Sequence, residues 1–358
     1  MRASDFDFEL PAELIAQLPS SERDQSRLLV LDRFTGSIDH RKFYDLVDYL
    51  NPGDLLILNN SRVLRARLWA TKNSGGAEVE ILLLEEVATN AWWALLRPGK
   101  RIRVGTELTI NDATQIGAHV GVEVLRKSSD GQYLLRFSGT RDIKNELDRV
   151  GEIPLPPYIT RRPHTTPIDD AERYQTVYAN RLGSVAAPTA GVHFTERLLN
   201  QIRSRGVEIR HVTLHVGLGT FAPVKTELLE NHVMHEEPFE VASETAEAIR
   251  KTRLAGGRIV AVGTTSVRVL ETVAAAHDGR VPSATGRTRI FIQPPHHFRI
   301  VDVLVTNFHL PRSTLLMLVS AFATPGETRG REMMLSAYAE AIRERYRFFS
   351  YGDAMLIL

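Results

Sequence analysis

The chain has 358 residues, 43% of them hydrophobic and 24% charged, with 44 basic and 43 acidic side chains giving a formal charge of +1. That length suits about two domains, and the near-neutral balance excludes a protein that coats nucleic acid by bulk charge, leaving any RNA contact to local patches. The absence of cysteine excludes disulfides, thiolate metal sites and cysteine nucleophiles together.

The opening segment Met1 to Asp7 runs into acidic residues and does not read as a signal peptide. No run approaches the ~18 apolar residues of a membrane span; the longest, 315–323, stops at Thr324-Pro325-Gly326. A cytoplasmic protein with no membrane contact is expected. Apolar groups at helical spacing predict a helix over 43–50, ended by Asn51-Pro52-Gly53. The apolar run that follows predicts a buried strand delivering Asn59 and Asn60 to a sheet edge.

From 63 to 140 short β-rich segments (63–71, 77–85, 91–96, 107–110, 120–126, 132–137) alternate with turn clusters at 73–76, 97–100 and 129–131. Six short strands at hairpin spacing predict a small antiparallel barrel whose closure removes exposed edges. We place it as an insertion, 63–140, into a discontinuous domain formed by 1–62 and 141–358. In that larger domain Thr195 caps a helix over 196–205, Gly206 ends it, and a strand follows over 207–216. The scheme repeats with a capped helix over 243–254, a buried strand over 258–262, a helix over 267–276, and a last helix over 335–346. Such alternation predicts an α/β fold: parallel strands flanked by helices, with the small antiparallel β-barrel inserted.

Gly263-Thr264-Thr265-Ser266 falls between a strand and a helix, with Arg268 one turn further on. Ligands of open α/β sheets collect there, and free N–H groups with hydroxyls suit a carboxylate or phosphate; ordinary helix capping accounts for the same residues. The segment 215–221 holds Gly-x-Gly, but Pro223 interrupts and no third glycine opens a helix, so a Rossmann nucleotide loop is rejected. Its glycines fit tight turning or close ligand approach. His193, His215, His232, His235 and His309 all fall at strand ends or in loops. His232-Val233-Met234-His235-Glu236 is not the zincin order, which favours acid–base work over a metal; surface or core histidine competes equally at each position. Arg97, Lys100, Arg101 and Arg103 crowd one turn after Trp92 and Trp93, as either a solvated face or a phosphate contact. One tryptophan is expected to pack into the barrel. The small residues of 184–195 could wrap a planar ligand but hold no nucleophile elbow.

In sequence order, Phe6 to Pro11, Arg23 to Leu31, Asn59 to Val63, Arg97 to Arg101, Gly151 to Ile159, Ala186 to Thr195, Val212 to Phe221, His232 to Glu236, Gly263 to Arg268, Thr306 to Pro311 and Tyr346 to Asp353 resemble the S-adenosylmethionine:tRNA ribosyltransferase-isomerases of queuosine biosynthesis. Two departures stand out: Ser61 in place of threonine, which keeps the hydroxyl, and Pro294-Pro295-His296-His297 in place of a Pro-Gly-aromatic turn. The resemblance implies transfer and isomerisation of the ribosyl group of S-adenosylmethionine onto 7-aminomethyl-7-deazaguanine at the wobble position of tRNA. Epoxyqueuosine-tRNA, adenine and methionine leave. It implies S-adenosylmethionine as co-substrate, no permanently bound cofactor, no metal and tRNA as partner; a monomer is expected. The chemistry asks for a base at the carbon beside the sulfonium, an acid for adenine and deprotonation of the amine. His215, His235 and Glu236 are the catalytic candidates. Arg23, Asp24, Arg27, Asn59, Asn60, Arg62, Pro188, Thr189, Gly191, His193, Thr264, Thr265, Ser266, Arg268, Asn307 and His309 are the substrate-binding candidates, and Arg97, Lys100 and Arg101 the tRNA-binding ones.

Overall fold

The computed structural model describes residues 1–111, 119–161, 169–217, 224 and 226–358. Nine strands make the main sheet: β1 (Arg27–Leu31), β2 (Ile38–Lys42), β3 (Leu55–Asn59), β4 (Glu208–Leu214), β5 (Glu237–Val241), β6 (Ile259–Val262), β7 (Ala284–Thr288), β8 (Val303–Asn307) and β9 (Ala354–Ile357). Their order is β7-β5-β4-β3-β6-β8-β9-β1-β2. The middle four, β4, β3, β6 and β8, are mutually parallel as expected. The flanks are not: β5 and β7 run antiparallel on one side, and β9 against β8 and β2 against β1 on the other. The sheet is mixed. Six residues join β1 to β2, too few for the crossover a parallel pair needs.

Burial explains the central strands. Every residue of β3, β6 and β8 is buried, because both faces are covered. Alternate side chains enter two cores: Leu55 and Ile57 face one, Leu56 and Leu58 the other. The first core is roofed by four helices, α2 (Ser243–Leu254), α3 (Gly263–Ala276), α4 (Thr314–Ala323) and α5 (Gly330–Arg343); the second by α1 (Glu196–Ser204) and the 43–49 segment. The Thr195 hydroxyl caps α1 by accepting the Leu198 N–H at 3.1 Å. Helix α2 has its expected bounds, but its N-cap is Ala242, with no side-chain cap. The 43–49 segment is a 3-10 run, its end bonded from Leu50 N to Val47 O, rather than the expected α-helix. Three aromatic residues and a β-branched valine favour helix weakly, and the segment has no length over which an α-helix could propagate. Helix α3 starts at Gly263, four residues earlier than its spacing predicted. Gly263 makes the abrupt strand-to-helix turn with φ +85°, a conformation that a Cβ disfavours, and Ser266 Oγ donates back to Val262 O at 2.8 Å. Helix α5 likewise begins early, at Gly330, and ends at Arg343.

The barrel closes. Strands Arg67–Lys72, Glu78–Ala88, Ala91–Arg97, Glu107–Ile110, Gly121–Lys127 and Tyr133–Ser138 pair in a ring sealed by Arg67–Lys72 against Glu107–Ile110. Gly151–Glu152 adds alongside Arg67 and Leu68, and Ile143, Leu147 and Val150 join the barrel core, beyond the expected division at 140. Trp92 points inward and is buried, while Trp93 faces out, with the Arg126 guanidinium 5.2 Å from its ring centre. Residues Ser61–Val63, leading into the barrel, pair in parallel with Arg181–Ser184 on the return; Asn60 O accepts from Asn180 N and Arg181 N, and Leu64 N donates to Ser184 O. Among the described residues no helix is long and apolar enough to cross a membrane.

Candidate active site

The parallel strands β4, β6 and β8 deliver their carboxyl ends to one cleft of about 650 Å³. Its walls come from 187–190, Val216, 263–265 and 306–310, with Tyr158, Ser313, Phe349 and Ser350 completing it. Among the described lining residues there is no Arg, Lys, Asp or Glu. Aliphatic and aromatic side chains, hydroxyls, the Asn307 amide and the His309 ring make up the surface instead.

The first turn of α3 forms one wall. Thr264 and Thr265 line the cleft, and the buried Thr265 hydroxyl has no hydrogen-bond partner among the described residues. An unsatisfied hydroxyl beside a helix N-terminus is suited to an anionic group. Ser266 spends its hydroxyl on Val262 O and does not reach the cleft. Arg268, 3% exposed, pairs through Nη1 with Glu237 Oε2, leaving its Nε and Nη2 without partners among the described residues. The other oxygen of Glu237 accepts the Gly217 N–H at 2.9 Å. This ion pair braces the helix start against the end of β4.

Two imidazoles stand at this end of the sheet, His193 fixed by neighbours far away in sequence and His309 by one three residues back. Asn307 Nδ2 faces His193 Nε2 at 3.2 Å, and His193 Nδ1 lies 2.8 Å from Ser26 Oγ. The amide N–H donates, so Nε2 accepts and Nδ1 carries the proton. Burial pushes the His193 pKa down to about 4. His309, in the cleft wall, has Nε2 2.9 Å from Thr306 Oγ1, and burial holds its pKa near about 3. Both rings are neutral at physiological pH. Asn307 also donates to Phe349 O at 3.3 Å, which ties β8 to the C-terminal turn. Tyr158 OH sits 2.6 Å from Ser350 Oγ; burial raises its pKa to about 12, with the serine contacts pulling the other way.

Of the substrate-binding candidates, Pro188, Thr189, Thr264, Thr265, Asn307 and His309 line the cleft. Gly191 lies one turn behind, where a Cβ would collide with the Tyr178 hydroxyl. Others serve the scaffold. Arg23 donates to the carbonyls of Gln175, Val192 and Glu172, holding the 189–193 turn in place. Asp24, buried, accepts from Thr195 Oγ1 and Arg197 Nη2. Arg27 stacks 3.7 Å over Tyr346 and donates to Glu344 O. Asn59 bonds Leu214 through both ends of its amide, clamping β3 to β4. Asn60 accepts from Thr213 Oγ1 at 2.7 Å, on the far face of the sheet, and Arg62 is exposed.

The structure does not bring His215, His235 and Glu236 together at the cleft. His215 has the parity of Thr213, opposite to Leu214 and Val216, and its ring nests on Gly183; burial lowers its pKa, partly offset by Glu240. His235 is exposed, and Glu236, 48% exposed, points to Arg287 and Arg289 at 3.4 and 3.9 Å. The buried carboxylate is its neighbour Glu237, which opens β5. Strand parity over 237–241 was the available signal. Tyr158, Phe308, Ser313, Leu315, Phe349 and Ser350 also line the cleft without being sequence candidates, although Tyr158, Phe308, Phe349 and Ser350 fall in the segments 151–159, 306–311 and 346–353 that carry the resemblance. Gly219, Thr220 and Phe221 lie outside the described residues. Arg97, Lys100 and Arg101 are exposed on the barrel, with no carboxylate in ion-pairing distance among the described residues. At the altered turn, His297 packs against Gly326, whose N–H donates to His296 O at 2.7 Å.

The family described as queuosine biosynthesis protein matches residues 3–357. The chain belongs to that family. A relative from Clostridioides difficile (strain 630), named S-adenosylmethionine:tRNA ribosyltransferase-isomerase, is 49% identical over 357 residues, covering 100% of both chains. The crystal structure of the S-adenosylmethionine tRNA ribosyltransferase of Thermotoga maritima is similar with a TM-score of 0.56 and 41% identity, over 99% of this chain and 100% of that one. As a family member aligned end to end with a transferase-isomerase, the chain is an enzyme rather than a non-catalytic binding module.

Proposed function

We propose that this enzyme transfers the ribosyl group of S-adenosylmethionine to the aminomethyl group of 7-aminomethyl-7-deazaguanine at the tRNA wobble position and isomerises it, giving epoxyqueuosine-tRNA, adenine and methionine. The observation that carries the reading is the uncharged cleft at the carboxyl ends of β4, β6 and β8, with a free hydroxyl at the start of α3. The α3 N–H groups with Thr264 and Thr265 receive the methionine carboxylate. Tyr158, Phe308 and Phe349 give the adenosyl group flat apolar surface. A wall without carboxylates leaves the sulfonium charge uncompensated, and that charge acidifies protons on the adjoining ribosyl carbon. His309 and His193, held neutral, position groups through hydrogen bonds; a base with a pKa near 3 or 4 retains a transferred proton poorly at neutral pH. Arg97, Lys100 and Arg101 contact the tRNA backbone. A cytoplasmic location and action as a monomer complete the reading.

The test uses S-adenosylmethionine labelled separately in its methyl and ribosyl groups, with precursor tRNA. Ribosyl label in RNA, with adenine and methionine released, is expected. Methyl label in RNA, with S-adenosylhomocysteine released, would mean methyl transfer instead.

A further inference from the structure

A second and larger cleft, of about 900 Å³, opens where the barrel meets the α/β domain. It shares its walls with the first. Pro157 and Val185 line the junction cleft, while their neighbours Tyr158, Ala187 and Pro188 line the active cleft. Two chain segments thus separate the clefts by a few residues.

Its barrel side breaks the usual pattern. Outward positions of a small barrel should be polar, yet Leu82 and Leu95 face out, half-buried and paired directly across the strands. Trp93 lies two residues before Leu95, on the same face, beneath Arg126. The charge inside the cleft is already compensated, Arg67 Nε standing 3.1 Å from Glu80. At the rim Arg97 is exposed, and Lys100 and Arg101 continue from it without ion-pair partners among the described residues.

Flat apolar floor, proline walls and free cations at the lip are the materials with which proteins hold single-stranded RNA, bases stacked inward and phosphates outward. We propose that this junction cleft is a subsite for the unpaired nucleotide next to the reactive base, its base against Leu82, Leu95 and Pro157 and its phosphate toward Arg97. This rests on the reading that a tRNA base reacts in the first cleft. Its place directly across the 154–158 and 185–188 segments from the active cleft favours the same RNA strand over a protein partner.

The experiment crosslinks the full-length enzyme to an anticodon stem-loop carrying the aminomethylated base, with 4-thiouridine at the adjoining loop position. Crosslinks in peptides containing 82–97 or 154–157 are expected. In parallel, Leu82→Ser with Leu95→Ser, which removes the apolar floor without adding charge, should raise KM for the stem-loop about tenfold, with KM for S-adenosylmethionine close to that of the unsubstituted enzyme and the variant still folded at the assay temperature. Crosslinks confined to other surfaces, or a folded double variant with stem-loop KM within twofold, would leave the groove to a protein partner and overturn the proposal. In both cases the unsubstituted enzyme still transfers ribose. Failure of that enzyme to transfer ribose at all would instead remove the reading on which the subsite depends.

Discussion

The two clefts on either side of the 154–158 and 185–188 segments are built of opposite materials. One sits at the edge of a fully buried sheet, carries no charged wall among its described residues, and has its imidazoles pinned by Ser26, Thr306 and Asn307. The other sits on the outer face of a barrel, with half-buried leucines and cations open to solvent. The contrast separates two tasks. Fixing where protons and a sulfonium lie requires groups that cannot move, and only a core supplies them; gripping a polyanion requires charge that water has not already been displaced from.

Substitutions sharpen or break that contrast, the largest effect coming from the brace. Arg268→Ala removes the cation facing buried Glu237 and should cost about 3–5 kcal/mol in urea unfolding, the scale for halving a buried pair; a loss below about 1 kcal/mol would show the brace to be dispensable. Next comes acid. His193 and His309 have folded pKa values of about 4 and 3, below the ordinary 6.5, so the unfolded chain binds more protons as pH falls. Their stabilising contribution is intact above pH 6.5 and is lost as pH drops toward the folded values, by about 2 kcal/mol each between pH 7.5 and 5. Unfolding free energies of His193→Gln at the two pH values should differ less than those of the parent; an equal difference would mean the ring is not held neutral.

Smaller effects test the walls. Thr265→Val removes a hydroxyl that bonds nothing among the described residues, so it should leave stability unchanged and raise KM for S-adenosylmethionine about tenfold, roughly 1.4 kcal/mol. On the barrel, Lys100→Glu with Arg101→Glu should weaken tRNA binding about fivefold in 0.15 M salt and flatten its salt dependence. The smallest change is expected for His235→Ala with Glu236→Gln, whose kcat/KM should stay within about twofold because both side chains are exposed away from the cleft. A hundredfold loss there would place them at the reacting atoms once RNA is bound.

Much of this was legible from residue order. The barrel strands could be read because short β-rich runs recur at hairpin spacing between turn clusters, and β3 and β6 because apolar runs end at asparagine or glycine; the start of α3 was placed four residues late. The segment 263–265 follows a strand that the sequence shows, so its place at the sheet edge was legible; the strand Val303–Asn307 that carries 306–310 there was not predicted, and 187–190 follows no strand of the main sheet. Contacts across the sheet were not legible. Nothing local says that Asn59 clamps Leu214, that Arg23 is consumed by three carbonyls 149 to 169 residues away, or that His193 answers to Ser26 and Asn307. The choice between Glu236 and Glu237 turned on the parity of a strand, where a shift of one residue exchanges inside for outside. Antiparallel flanks were missed because helix–strand alternation describes only the middle of the sheet.

The doubled attachment of the barrel has a mechanical consequence. A unit hung from one loop can swivel freely, but here the outgoing Ser61–Val63 and returning Arg181–Ser184 are laced together, with further bonds at Asn60 and Leu64. Twisting the barrel about a single axis point would unzip that ladder, so the lacing fixes the register in which the barrel meets the sheet domain.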